Sequence, residues 1–278
     1  MVTRSNYDEA KVEAARAVLA EVFRALGEYR EHMLLVGGWV PSMLIPNPEH
    51  RHVGSLDVDI ALNHTAAQEE FYKQISEMME LLEFKVDPKN RHRFARMLVV
   101  SGESITIHVD MLALEYGGRG KKHQHQHVQN IEARKARGCD LAFEHPLDMK
   151  VELTMINGAK AVVPLRVTSV AAFIVMKSFA MRGRRKDKDA YDVVYCLREY
   201  QGGIDAVAED FKKFGTHGLV REAIEILTEE FKDTTYIGPK SVADFLELPE
   251  GDEREIMLRD AAERVQELVE KVKQGFSS

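Results

Sequence analysis

Cysteine is scarce in this chain: Cys139 and Cys196 are the only two in 278 residues. They stand in unrelated contexts and fit no zinc-binding spacing, so a zinc module is excluded and two reduced thiols are the ordinary reading. Long apolar runs are missing as well. The longest, VAAFIVM from Val170 to Met176, falls far short of the ~20 residues that cross a bilayer. The opening MVTRSNYDEAKVEAARAV has no apolar core of signal-peptide length and reads as an amphipathic helix, so a cytoplasmic protein with no membrane association is expected. There is one tryptophan, Trp39, and neither an internal repeat nor a low-complexity tract.

What is present is a globular composition, 45% hydrophobic and 30% charged. The net charge of −7 is unevenly spread: from Gln201 to Ser278 there are 10 basic and 18 acidic side chains, while the first 200 residues nearly balance. Within Arg91 to Gly138, nine Lys or Arg stand against four Asp or Glu. A phosphate-facing side on an otherwise acidic protein would produce this pattern, and so would a solvated surface.

Apolar spacing predicts a helix over residues 7–30, then a short strand MLLVGG, then a segment WVPSMLIP that breaks at Pro46 and Pro48. SLDVDIAL reads as the second strand, and Thr65 caps a helix with Glu69 and Glu70 in its first turns. RFARMLVV and ESITIHVDMLAL form a hairpin around Ser101-Gly102, and Asn157-Gly158 marks another. After Thr168 the pattern turns helical, over 169–183, 187–200, 204–232 and 253–274. The expected organisation is an α/β domain over residues 1–166 and a helical domain over 167–278.

The chemistry concentrates in VGSLDVDIAL. Strand geometry turns Asp57 and Asp59 to the same face, and two unit charges about 5 Å apart repel by roughly 3 kcal/mol at an effective dielectric of ~20. Asp110 sits on the face of its own strand that carries Thr106 and His108, opposite Ile105, Ile107 and Val109. Three carboxylates converging on neighbouring strands call for cations, and an all-oxygen donor set suits Mg²⁺ or Mn²⁺. Two such ions can hold the attacking and leaving oxygens of a nucleotidyl transfer.

GGW (37–39), GSLDVD (54–59) and HVDML (108–112) resemble the nucleotidyltransferase signature of the polymerase-beta type, with 18 residues between Gly38 and Asp57. Downstream, Lys177 interrupts an apolar helix, and GRRKDKD leads into a helix with Asp189 and Asp192 on one face. This stretch is similar to the second motif of the AbiEii/AbiGii-type toxin nucleotidyltransferases, so the resemblance covers about residues 33–200. It implies an α+β fold, a polymerase-beta-like mixed sheet flanked by helices, followed by a helical C-terminal domain. It further implies catalytic Asp57, Asp59, Asp110 and Lys177, metal at Asp57, Asp59 and Asp110, and an NTP held by Gly38, Gly54, Ser55, Lys177 and Asp189. Such proteins act as toxins of toxin–antitoxin or phage-defence systems, and some extend the 3′ end of tRNA. An RNA acceptor and an antitoxin partner are therefore expected. A small-molecule or protein acceptor stays open, as does a non-catalytic binding module of the same fold.

Two further features carry less. His123, His125 and His127 alternate within a glycine-flanked basic loop, without a carboxylate or cysteine at ligand spacing. Trp39 either packs in the core or stacks on a base.

Overall fold

A computed structural model describes residues 2–63, 69–114, 125–128 and 131–276. Thr65 and His123 lie outside these residues, as do the side chains of Glu69, Glu70, His125 and His127. The chain forms two compact units, one of residues 7–43 and 54–168, the other of residues 1–6, 44–53 and 169–278. The second therefore draws two short segments from the first third of the chain.

The first unit is a mixed sheet flanked by helices. Its strands are β1 (Met33–Val36), β2 (Asp57–Leu62), β3 (Lys85–Val86), β4 (Arg93–Val100), β5 (Glu103–Ala113), β6 (His125–Val128), β7 (Ile131–Lys135), β8 (Leu147–Thr154) and β9 (Lys160–Val167). They run in the order β3-β4-β5-β2-β1-β9-β8, with β7 pairing β5 and β6. β1 lies antiparallel to β2 and parallel to β9, and β2 lies parallel to β5. Helix α1 (Glu9–Ala25) is capped by the Asp8 side chain and lies against β2, β4, β5, β8 and β9. It presents Ala15, Val18, Leu19, Val22 and Phe23 as its buried stripe.

Both hairpins form where the turn residues place them. Ser101 (φ +52°) and Gly102 (φ +85°) are both left-handed, as a two-residue turn of the I′ kind requires, and β4 pairs with β5 in unbroken register from Val100–Glu103 to Arg93–Asp110. Gly158 takes φ +81° between β8 and β9.

Three more helices precede residue 168, α2 (Val40–Leu44), α3 (Glu69–Leu81) and α4 (Cys139–Ala142), and the second unit is helical: α5 (Val170–Arg184), α6 (Asp187–Glu199), α7 (Gly203–Lys212), α8 (Gly218–Glu230), α9 (Ile237–Phe245) and α10 (Asp252–Phe276). The helix expected over 204–232 is two helices, α7 and α8. The chain between them turns at Gly215, whose φ of +52° no helix accommodates. Helix α9 falls in a stretch for which the sequence pattern gives no helix, its start carrying Gly238 and Pro239. Pro239 falls in its first turn, where the missing N–H costs no helical hydrogen bond. No helix among the described residues is long and apolar enough to cross a membrane.

Candidate active site

Register decides which side chains meet. Asp57 pairs across the β2–β5 ladder with His108, and Asp59 with Asp110. On the far side of β5, Arg93 pairs with Asp110. Directly opposed residues project to the same face, so Asp57, Asp59, His108, Asp110 and Arg93 share one side of the sheet. The other side of these strands is core: Val58, Ile60, Phe94, Ile107, Val109 and Met111 are all buried. The period-2 pattern thus drives the apolar residues inward and leaves the carboxylates together on the polar face.

Each carboxylate is held differently. Asp57 Oδ1 lies 3.2 Å from His108 Nδ1, with both side chains partly open to solvent. Asp59 packs against Gly37, the first residue of the three-residue 3-10 turn Gly37–Trp39 that follows β1. Gly37 has φ +72°, and a β-carbon there would overlap the Asp59 carboxylate. Asp110 is gripped by Arg93 through both oxygens, Nε to Oδ1 and Nη2 to Oδ2, each at 2.7 Å. Hydrogen bonding to Asp110, joined by the charges of Asp57 and Asp59, raises Arg93 above its already high range.

Gly54, with φ +81°, brings the chain into β2; a β-carbon would stand 2.5 Å from Val12 Cγ1. Trp39 is 2% exposed, close beside Gly54, and so is a core residue. Gly38 is buried and Ser55 half-buried.

The donor set is of the right kind for a hard divalent cation: carboxylate oxygens on one face, two of them at alternate positions of one strand. Among the described residues, no three His, Cys, Asp or Glu side chains converge tightly enough to hold an ion as they stand. Arg93 engages both oxygens of Asp110, so that carboxylate is already committed. The sequence places His108 on the face of Asp110 but does not show its contact with Asp57, and it assigns Arg93 no place in the site. The signal for Arg93 was the Ser101-Gly102 turn, whose two-residue loop sets position 93 opposite position 110.

Lys177 and Asp189 belong to the helical unit. Lys177 neither reaches water nor stands alone. It is 6% exposed, and its Nζ lies 2.8 Å from Asp189 Oδ1 and 2.7 Å from Asp192 Oδ2. The first contact is a hydrogen bond; the second is an ion pair without hydrogen-bond geometry. Arg184 donates to both Asp189 oxygens, Lys188 to Asp192, and His52 Nε2 lies 2.9 Å from Asp192 Oδ1. Burial pulls the Lys177 ammonium down, but Asp189 and Asp192 outweigh it and hold the group above its usual range. Burial would push Asp189 and Asp192 up, yet Lys177 and Arg184 keep Asp189, and Lys177, Lys188 and His52 keep Asp192, below the usual carboxylate range.

His52 is the titrating member. Burial lowers its imidazole from 6.5 to about 4, the charge of Lys188 adds to this, and the bond to Asp192 opposes it only in part. Lys177 also faces the ring as a charge, Tyr191 stacks on it and Tyr195 meets it edge-on. The folded ring is therefore neutral where the unfolded one takes up a proton. Stability should fall as pH drops from 6.5 toward 4, by about 3 kcal/mol for this one group. Asp189 and Asp192 contribute stability above 3.8 and lose it only as pH falls further, through their depressed folded values. Urea unfolding between pH 7 and 4 checks this: His52→Asn should flatten the slope in that window, and an unchanged slope would assign it elsewhere.

No family model matches the chain, and no curated protein does. Among solved structures it is similar to the antibiotic-resistance factor ANT(2'')-Ia, at 13% identity over 75% of this chain and 88% of that one, with a TM-score of 0.35. It is also similar to MenT4, a nucleotidyltransferase toxin of Mycobacterium tuberculosis H37Rv, at 13% identity over 100% of this chain and 89% of that one, with a TM-score of 0.36. Likeness at this level says nothing of substrate, and the chemistry has to come from the residues.

Proposed function

We propose that the chain is a metal-dependent nucleotidyltransferase, moving a nucleoside monophosphate from an NTP to an RNA acceptor, the 3′ end of tRNA in particular. The observation that carries this reading is the register-aligned set Asp57, Asp59 and Asp110 on one sheet face, with Gly37 shaped around Asp59. In this reading Asp57 and Asp59 hold Mg²⁺ or Mn²⁺, Asp110 completes that site or accepts the proton of the attacking hydroxyl, and Gly38, Gly54 and Ser55 line the triphosphate. The metal supplies charge neutralisation of the phosphates, while the chain supplies position and a fixed polar environment. Lys177 and Asp189 serve by holding α5 to α6; a phosphate contact by Lys177 requires its ammonium to give up one of two close carboxylates.

The local basic excess of Arg91 to Gly138 supports a polyanionic acceptor. The resemblance to AbiEii/AbiGii-type proteins adds a toxin role with an antitoxin partner. A cationic small molecule is the second reading, favoured by the acidic excess after Gln201. Incubation with Mg²⁺, each α-labelled NTP and total tRNA separates them. Label entering tRNA from one NTP is the expected result; label entering only small molecules or protein would overturn the RNA acceptor.

A further inference from the structure

Arg93 has no part in the reading above, on which the following inference rests. Its position is specific: directly across from Asp110 in the β4–β5 ladder, on the carboxylate face, with both guanidinium bonds at 2.7 Å. The pair neutralises a carboxylate that is only 7% exposed, so Arg93 answers the charge that Asp110 brings to this face as well as tying β4 to β5. The core side of the same strand is already filled by Phe94. The guanidinium stands on the sheet face that carries Asp57, Asp59 and Asp110, next to the carboxylates that would hold a divalent ion.

We propose that Arg93 is a built-in counter-ion that competes with divalent metal for Asp110. Asp110 joins the metal site only when the fork of Arg93 opens, and the freed guanidinium then faces the triphosphate. Two features make the exchange workable. Asp57 and Asp59 lie on the next strand and give an incoming ion a first hold without disturbing Arg93. Arg93 is also the more exposed partner of its pair, 27% against 11% for Asp110, so the arginine rather than the strand carboxylate is free to swing. The protein would thereby keep a trio of like charges tolerable in the absence of NTP and metal, and complete the site when both arrive. A guanidinium suits this task because it grips both oxygens of one carboxylate and fits a phosphate equally well.

The test uses Mn²⁺ alone, titrated by electron paramagnetic resonance into the full chain. Arg93→Gln should bind Mn²⁺ at least tenfold more tightly than the wild type. Arg93→Lys, which cannot grip both oxygens, should show a smaller gain. Adding Asp110→Asn to Arg93→Gln should abolish the gain. Equal or weaker binding by Arg93→Gln overturns the inference, as does a gain that survives Asp110→Asn or an absence of binding in every variant. If Arg93→Gln fails to fold by circular dichroism, Arg93→Lys decides alone, with a gain supporting and no gain overturning. The readout needs no nucleotide. Transfer to RNA with no Arg93 effect on Mn²⁺ would sink this inference only; the stated Mn²⁺ behaviour without any nucleotide transfer would sink the proposed function only.

Discussion

Replacing Asp57 and Asp59 together by alanine should reduce nucleotide transfer by about 10³-fold or more while leaving a folded protein whose Tm is little changed. The rate estimate follows from the ~10²–10³ lost on removing a single preorganised charge-stabilising group, and here two go at once. The stability estimate follows from competing terms. The substitution removes the Asp57–His108 contact, which is partly exposed and so worth less than about 1 kcal/mol. It also relieves repulsion among carboxylates that register places side by side, Asp59 against Asp110 across the ladder and Asp57 one alternate position away. At spacings of about 5 Å and an effective dielectric of ~20, that repulsion is roughly 3 kcal/mol per pair. Arg93 already offsets part of this repulsion and loses the attraction of both charges, so relief and loss roughly cancel. Thermal unfolding beside a transfer assay checks both halves; a Tm that falls sharply would mean the aspartates hold the sheet together rather than serve chemistry.

Lys177→Met should destabilise the protein by about 3 kcal/mol, the lower end of what removing one partner from a buried ion network costs. The lower end applies because Asp189 keeps Arg184, and Asp192 keeps Lys188 and His52. Methionine retains the apolar stem that packs in α5, so the loss reports the charge and not the volume. Urea unfolding at pH 7.5 gives the number. A loss under about 1 kcal/mol would show that the network is worth no more than a surface pair. The paired expectation at His52 concerns the same cluster seen through pH, and the two effects share Asp192, so they should not add.

Much of this arrangement was legible before any coordinates. Alternation alone put Asp57 with Asp59 and Asp110 with His108, because a strand offers only two faces. The turn residues at Ser101-Gly102 and Asn157-Gly158 located both hairpins, since the positive φ taken by Ser101, Gly102 and Gly158 is a local demand that few residues meet. The β4–β5 register was also implicit in the first of these turns, and with it the Arg93–Asp110 pair. Pairing between β2 and β5 was not legible: 40 residues separate Leu62 from Glu103, and nothing local states that two parallel strands lie side by side in that register. The same holds for His52, whose loop residues PEHRH give no hint of a partner at Asp192. Lys177 was visible as an anomaly in an apolar helix, but periodicity cannot distinguish a lysine facing a cleft from one matched by two aspartates on the next helix.

The central claim is that the carboxylate face performs nucleotidyl rather than phosphoryl transfer, and position of label tests it most directly. The protein would be incubated with Mg²⁺ and acceptor RNA, with the same NTP labelled at the α-phosphate in one series and the γ-phosphate in another. The account predicts α-label in the RNA and γ-label released in pyrophosphate. γ-Label in the acceptor, with α-label left in the nucleoside diphosphate, would contradict it.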